Sequence, residues 1–551
     1  MKRNFWLSVA MLAIGASLLV AAGLASPASS GNAKAGAATA KKGGTLRLSK
    51  STDIDYVDPA LAYFTDSFGE LEYATGAKLF NYPDKTGGAG IQVVPEVVQS
   101  YKVSKNGKTY SFVLKKTFKY NTGKTVTAAD FKNAFERDAD PKMQSPATAY
   151  MHEIVGADAM IDGKAKSISG IKVSGNKLTF RLTKSLPDFL TRLTMPFFMP
   201  LPKGTPHDPD GINNPPSAGP YYVASRQVNR QIIIKQNPFY KGNRPHNVSQ
   251  MTWTVGASLE ACRLETEQNQ VDYCVDGVPP ASYKDIADKY GIKGASGNGQ
   301  FFFNTVLGTS YFALNNNRPA FKGNLAFRKA VNNAIDRPAL VRAGGYLGGK
   351  RTDQILPPAM TKNADIYPIK GANPTAAKKL AAGHTPPGNK LVLYTANRGV
   401  RVIRAQVFQF NMKQIGIDVD VTQFARAVQH AKCGTLNEPF DVCDEGWLID
   451  YADPITFFEP LLLGTNIHDT ENTNEAYFND PKWNKSIVAA GRLTGAARAK
   501  AYTALDIGIT KQAAPWASFL TITNRDFVSK STGCYLYHPV MLMDWAAACK
   551  K

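Results

Sequence analysis

The chain has 551 residues, of which 44% are hydrophobic and 20% are charged. This composition is ordinary for a soluble globular protein, and the length suffices for two or three lobes with large cores. The net charge is +21, but the basic residues are scattered, and no arginine-rich arm or nucleic-acid-binding motif occurs. We therefore expect no nucleic-acid partner. The positive excess instead suggests a protein that works near anionic surfaces.

The first residues have the pattern of a secretory signal. Lys2 and Arg3 form a basic head, residues 5–25 are almost wholly apolar, and small residues follow. We predict a signal peptide over residues 1–28 and a flexible linker over residues 29–43. An uncut membrane anchor is the alternative, because the apolar run is long enough to span a bilayer. No cysteine directly follows this run. We therefore expect export to the periplasm or the outer face of the cytoplasmic membrane without a lipid-anchoring cysteine.

Strands and helices alternate along the rest of the chain. Alternation of apolar and polar residues predicts strands at 44–48, 109–115, 171–182 (two strands around a turn), 230–236 and 417–421. Helical periodicity, with Thr127 and Asp130 in capping-box spacing, predicts helices at 127–140, 324–335 and 401–416. The repeated step from helix to strand indicates an α/β or mixed architecture.

Six cysteines lie outside the predicted signal, and an even number in an exported protein favours disulfides. Pairing of sequence neighbours gives Cys262–Cys274, Cys433–Cys443 and Cys534–Cys549, although six cysteines permit fifteen connectivities. A zinc site is the alternative. Because no C-x-x-C motif occurs and the seven histidines are scattered, we expect no metal and no other cofactor.

Signatures of catalysis are weak. Two GKT triplets lack the glycine that a phosphate-binding loop requires five residues earlier, and no G-x-S-x-G elbow is present. Asp450 and Asp453 could suggest a carboxylate pair for glycoside hydrolysis. Asp453, however, precedes Pro454 and an apolar run, which is typical of a helix N-cap with proline at the first helical position.

Several segments in order resemble one family. They are GGTLRLSKSTDIDYVDPALA, residues 94–137, the GPY…NPFY pattern within 218–245, residues 311–341, and GWLIDYADP at 446–454. Together they are similar to the family 5 extracytoplasmic solute-binding proteins of peptide-type ABC importers, which include dipeptide, oligopeptide and nickel binders. The resemblance covers residues 44 to 545.

The resemblance implies an α/β fold, a two-lobed periplasmic-binding-protein-like clamshell with an extra inserted α+β subdomain. Lobe I would comprise residues 44–75, 204–298 and 518–551. The inserted subdomain would span 76–203, and lobe II would span 299–517. A ligand would lie between the lobes, and the closed form would be recognised by a membrane permease.

The resemblance also implies where the ligand binds. The tryptophan turn of the family lines the cleft, and its aspartate often receives the ammonium of a peptide; Trp447 and Asp450 match these positions. Gly446 would permit close approach of a ligand backbone. Tyr63, Phe64 and Thr65 follow the Asp-Pro turn, where relatives contribute to the cleft. For Asp450 the alternative is a turn aspartate that bonds its own backbone, and for Trp447 it is a place in the core.

The predicted function is an extracytoplasmic receptor, not an enzyme, that binds a dipeptide or oligopeptide and delivers it to an ABC transporter permease. We expect a monomer whose ligand is a peptide or another amine-bearing small solute. Asp444 and Glu445 are acidic where a relative has a basic and a small residue, so no partner for a peptide carboxylate is visible. A secreted hydrolase of peptides or oligosaccharides and a receptor for a sugar or metal chelate are the alternatives.

Overall fold

The computed structural model describes residues 42–362 and 364–551. The predicted signal peptide and most of the predicted linker lie outside the described residues. Within these two ranges, no helix combines the length and the hydropathy needed to cross a bilayer.

Three sheets of four or more strands organise the described part of the chain. Their strands are β1 Thr45–Lys50, β2 Val98–Val103, β3 Thr109–Leu114, β4 Ile171–Ser174, β5 Lys177–Arg181, β6 Tyr221–Gln227, β7 Gln231–Gln236, β8 Gln250–Val255, β9 Tyr273–Cys274, β10 Phe301–Leu314, β11 Lys350–Arg351, β12 Lys390–Ala396, β13 Asp418–Phe424, β14 Val442–Leu448 and β15 Trp516–Phe527.

The first sheet has the strand order β9-β1-β8-β7-β6. Its β1 runs parallel to β8, which sets Leu46 beside Met251 and Leu48 beside Trp253. All four side chains are fully buried in one core cluster. Alternate residues of both strands thus supply the lobe I core, which is the pattern of a strand with one buried face.

The second sheet has the order β11-β15-β10-β14-β12-β13 and joins the two lobes. Its long strand β10 places Phe302 in the core of the first sheet and Phe312 in a separate core around the second sheet. The pairing of β10 with β15 shifts register between Thr305 and Thr309, so both strands bend where they pass from one lobe to the other. The sequence-based boundaries at 298/299 and 517/518 stay a prediction.

The third sheet, β2-β3-β5-β4, lies within the predicted inserted subdomain. Strand β3 alternates between half-buried and buried residues, as its sequence pattern predicts. A helix packs beside this sheet and begins with a capping box between Thr127 and Asp130. Phe131 and Phe135 of the helix are buried in a core that continues into residues of the 440–516 region, among them Tyr451. The subdomain and lobe II therefore pack against each other.

The helices of eight or more residues are α1 Ala128–Asp138, α2 Leu259–Glu267, α3 Tyr283–Tyr290, α4 Leu325–Ala334, α5 Pro374–Ala381, α6 Gly399–Lys413, α7 Arg426–Cys433, α8 Pro481–Gly491 and α9 Gly495–Gln512. The predicted helices at 127–140, 324–335 and 401–416 correspond to α1, α4 and α6. Short paired strands lie at Phe80–Asn81, Val94–Pro95, Ser296–Gly297, Thr532–Gly533, Tyr535–His538, Leu542–Met543 and Cys549–Lys550. Shorter α-helices lie at Glu72–Thr75, Gly87–Gly90, Ala157–Ile161, Phe189–Arg192, Arg337–Arg342 and Glu459–Leu462.

Three disulfides join Cys262 to Cys274, Cys433 to Cys443, and Cys534 to Cys549. This is the connectivity that pairing of sequence neighbours predicts, so the zinc alternative for these cysteines is wrong. The first bridge ties α2 to β9, and the second ties the end of α7 to β14, the strand that leads to the candidate cleft. Each closes a short loop and reduces the conformational freedom of the unfolded chain.

Candidate ligand-binding cleft

A cavity of about 630 Å³ lies between the two lobes. Its lobe I wall comes from residues 50–70 and 273–276, and its lobe II wall comes from residues 397–430 and 445–475. A volume of this size is typical of a small-molecule site. All six residues predicted to bind ligand line it, namely Tyr63, Phe64, Thr65, Gly446, Trp447 and Asp450.

Asp450 is only 6% exposed, and its carboxylate is held by tyrosines from across the cleft. The Tyr63 hydroxyl donates to Oδ1 at 3.2 Å, and the Tyr150 hydroxyl donates to Oδ2 at 2.9 Å. The two hydroxyls also contact each other at 2.8 Å. Because neither carboxylate oxygen bonds the backbone of the turn, the alternative of a self-capping turn aspartate does not apply.

The Asp450 carboxylate has no cationic partner within the described part of the chain. Burial raises its pKa from 3.8 to about 7, and the hydrogen bonds from Tyr150 and Tyr63 oppose this rise only in part. A buried carboxylate without compensation is costly, and a cation held beside it removes that cost. The site therefore favours a positively charged group in the cavity.

Aromatic rings wall the cavity beside this carboxylate. The rings of Tyr63 and Trp447 meet edge-to-face with centroids 6.2 Å apart, and the centroid of the Phe197 ring lies 5.5 Å from that of Tyr63. Trp447 is half-buried, lines the cavity, and its buried Nε1 has no hydrogen-bond acceptor among the described residues. The Trp447 side chain thus forms part of the cavity wall, and its Nε1–H could donate a hydrogen bond to a ligand oxygen.

The backbone N–H groups at Tyr63 already have a hydrogen-bond acceptor within the protein. The backbone N–H groups of Tyr63 and Phe64 both donate to Asp55 Oδ2 at 2.7 Å. These two amides are therefore not available to an extended ligand. Thr65 lines the cavity at the start of the next helical turn.

The free edge of β14 offers main-chain groups instead. Strand β14 pairs with β10 along its whole length, from Gly308 opposite Leu448 to Leu314 opposite Val442. Its pairing with β12 covers only Val442 and Cys443. Residues 446–448 therefore line the cavity without a second strand partner. Gly446 N already donates to Glu445 Oε2 at 3.3 Å, but the other main-chain groups of this edge could pair with an extended ligand.

Sequence reasoning missed a basic group at the rim. Arg398 is exposed, lines the cavity, and occupies the N-cap position of α6 without capping it. Its guanidinium has no hydrogen-bond or ion-pair partner in residues 42–362 and 364–551. The uncapped N-terminus of a 15-residue helix and a free guanidinium together favour an anion. The signal in the sequence is an arginine directly before the helix, where Ser, Thr, Asn or Asp is usual.

Asp444 and Glu445, which are acidic where a relative has a basic and a small residue, both have partners in lobe II. Asp444 accepts from the Thr395 hydroxyl at 2.9 Å and pairs with Arg401 at 3.3 Å. Glu445 accepts a two-pronged bond from Arg426, at 2.5 and 2.8 Å. Neither carboxylate is left without a partner.

Asp453 is placed apart from the candidate chemistry. Its side chain caps the turn that starts at Pro454 by accepting from Ile455 N at 2.9 Å. It also pairs with Arg498 at 2.8 Å. The predicted N-cap role is confirmed, and this structure gives no support to an Asp450–Asp453 catalytic pair.

Replacement of Asp450 by Asn tests the uncompensated charge. A folded-state pKa of about 7 against 3.8 in the unfolded chain means that the carboxyl binds its proton more tightly when folded. The contribution of this carboxyl to the stability of the ligand-free protein therefore falls as pH rises from about 4 to about 7. The Asp450→Asn protein should be more stable than the wild type at pH 8, by up to about 4 kcal/mol, with no difference near pH 4.

Thermal unfolding of ligand-free protein between pH 4 and pH 8 measures this. Asp469→Asn, an exposed aspartate of the same region, is the matched control and should follow the wild type throughout. Destabilisation by Asp450→Asn at pH 8 would show that the carboxylate is compensated after all.

Comparisons with known proteins agree with this architecture. The family model for bacterial extracellular solute-binding proteins, family 5 (middle), matches residues 92–469. The periplasmic oligopeptide-binding protein OppA of Escherichia coli K12 is 25% identical over 448 residues, which cover 76% of this chain and 78% of the relative. The periplasmic murein peptide-binding protein MppA of the same organism is 26% identical over 478 residues, which cover 81% and 85%.

The solved structure of clavulanic acid biosynthesis oligopeptide binding protein 2 superposes with a TM-score of 0.80 at 22% identity, covering 93% of this chain and 96% of that one. This similarity confirms the predicted two-lobed fold. Because the family model spans more than half of the chain, the protein belongs to the bacterial extracellular solute-binding proteins of family 5.

Proposed function

We propose that this protein is an extracytoplasmic receptor that binds a peptide with a free N-terminal amine and delivers it to an ABC transporter permease. The names of the relatives, oligopeptide-binding and murein peptide-binding, support a peptide ligand. The observation that carries the proposal is the buried Asp450 carboxylate, which lines the cavity with tyrosine donors and no cation.

A peptide ammonium suits this carboxylate. An α-amino group has a pKa of about 7.7–8.0 and is largely cationic at neutral pH. Inside a closed cleft it would make charge-assisted hydrogen bonds to Asp450, which are stronger than neutral ones. Closure without a cation leaves the charge unpaired, so the amine would also favour the closed form.

The other ends of a peptide also find partners. The free edge of β14 at residues 446–448 would pair with the main chain of an extended ligand, which makes affinity largely independent of side-chain identity. Arg398, at the N-terminus of α6, would receive the C-terminal carboxylate. An amine site, a strand edge and an anion site are the three features that a free peptide requires.

Family members are binding proteins, and we expect this chain to bind without turnover. Export by the predicted signal over residues 1–28 would bring it to the outer face of the cytoplasmic membrane, where a permease could recognise the closed form. A sugar or an uncharged solute would leave Asp450 unpaired, and such ligands are therefore disfavoured.

The amine contact is tested with Ala-Ala-Ala and its N-acetylated form. Asp450→Asn should weaken binding of the free tripeptide at least about 30-fold, since removal of one partner of a buried charge pair costs 2–5 kcal/mol. N-acetylation should weaken binding of the wild type similarly and should make binding insensitive to Asp450→Asn. Isothermal titration calorimetry gives the affinities.

Asp469→Asn, which changes an exposed acid outside the cavity, should leave the affinity unchanged. Equal affinity of the wild type for the free and acetylated tripeptides would exclude the proposed amine site. Mass spectrometry of the titrated mixtures checks for turnover, and hydrolysed peptide would favour the hydrolase alternative.

A further inference from the structure

Glu475 is a second carboxylate that the cavity leaves unsatisfied. It lines the same cavity as Asp450 and is 3% exposed. Neither of its oxygens accepts a hydrogen bond from any described residue. The Nδ1 atom of His430 forms an ion pair with Oε1 at 2.9 Å, without the alignment of a hydrogen bond, and Oε2 has no partner among the described residues. A buried carboxylate in this condition is unusual and requires an explanation.

The contrast with the neighbouring Glu445 shows what is missing. Glu445 accepts both prongs of the Arg426 guanidinium, a bond from Gln429 at 2.8 Å and one from Gly446 N at 3.3 Å. Burial raises the pKa of Glu445, but Arg426, His430 and Arg401 hold it well below its ordinary value. Burial, followed by the charge of Glu445, raises the pKa of Glu475 to about 7, although His430 and Arg426 oppose this rise. Glu445 thus has donors on both oxygens, whereas Glu475 has only the ion pair of Oε1 with His430 Nδ1, and its Oε2 has no donor among the described residues.

The opposite wall of the cavity adds negative charge. Asp66 and Asp276 of lobe I line the cavity, and the only cation that forms an ion pair with either of them in the described chain is Lys50, at 2.5 Å and 3.9 Å respectively. Tyr311, which also lines the cavity, stacks on Trp516 with centroids 3.7 Å apart. Glu475 is near enough to raise the pKa of Tyr311, so the cavity that holds Glu475 also offers a fixed aromatic residue, which suits the apolar stem of a long side chain.

A metal ion is a weaker occupant. The ligand atoms of His430, Glu445 and Glu475 lie within 4.8 Å of one another. However, Arg426 already occupies both oxygens of Glu445. Burial lowers the pKa of His430, but Glu445 and Glu475 raise it overall to about 9, so the imidazole is protonated at neutral pH and does not ligate metal.

We propose that Glu475 forms a side-chain subsite that selects a peptide residue with a cationic amine or guanidinium, such as lysine or arginine. This inference rests on the proposed function, because it concerns a side chain of the same peptide whose N-terminus meets Asp450. A cationic side chain supplies several donors and a positive charge at once. An apolar side chain of equal length leaves Glu475 Oε2 without a donor, and the subsite rejects it for that reason.

The test uses peptides that differ only in charge. Ala-Lys-Ala and Ala-Ala-Lys are compared with the same peptides carrying norleucine, which has nearly the same stem without the ammonium. The wild type should bind the lysine form at least about 10-fold more tightly at one of the two positions, by about 1.4 kcal/mol. Glu475→Gln should abolish this preference and should change the affinity for Ala-Ala-Ala by less than about 3-fold.

Glu471→Gln, an exposed acid four residues earlier in the chain, is the matched control and should retain the lysine preference. Lysine and norleucine peptides that bind the wild type equally, or a lysine preference that persists in Glu475→Gln, would overturn the subsite. Ala-Ala-Ala separates the two proposals, since its Asp450-dependent binding upholds the proposed function even where the lysine preference fails. Stabilisation of the peptide-free protein by ZnCl₂ that Glu475→Gln removes would show a metal site and would also overturn the inference.

Discussion

The buried Asp450 carboxylate, bound by two tyrosine hydroxyls and by no cation, is the interaction on which the account of this protein depends. Tyr63 comes from lobe I and Tyr150 from the inserted segment, so the environment of Asp450 exists only while the lobes are together. An ion pair between Arg192 of the inserted segment and Glu459, at 2.8 Å, also joins this segment to lobe II. In the proposed function, an amine that enters before closure would supply the missing charge. Closure would then remove both charges from water into the drier cleft, and their attraction is stronger there.

The rest of the cleft sorts its charges by how completely they are paired. Asp444 and Glu445 are held by Arg401 and Arg426, respectively. Beneath them, Gln429 donates to Glu445 at 2.8 Å and to Cys443 Sγ of the Cys433–Cys443 disulfide at 2.8 Å, so the α7–β14 bridge helps to fix this side of the cavity. The Asp450 carboxylate, Glu475 Oε2 and the Arg398 guanidinium have no oppositely charged partner among the described residues, and we propose that they meet the ligand. Such incomplete pairing costs stability in the empty protein and provides selectivity when a complementary ligand arrives.

Local patterns in the sequence predicted much of the scaffold. The β3 alternation, the α1 capping box and the Asp453 cap depend on neighbouring residues, and all three are present. The cleft residues from Tyr63 to Asp450 were predicted from the ordered motifs shared with the family, because no local sequence pattern reveals which residues bind a ligand. Tyr150 was missed since it lies 300 residues from Asp450 in the chain, and Glu475 was missed since the incomplete pairing of its carboxylate is a property of the folded cavity alone.

Proton exchange on ligand binding tests the central claim most directly. It is obtained from the calorimetric enthalpy of Ala-Ala-Ala binding in buffers of different ionisation enthalpy. With an Asp450 pKa of about 7 and an amine pKa of about 8, formation of the ion pair should release about one proton at pH 5 and take up about one proton at pH 9. In Asp450→Asn the release at pH 5 should disappear. Identical proton release at pH 5 by both proteins would contradict the claim that the ligand ammonium pairs with this carboxylate.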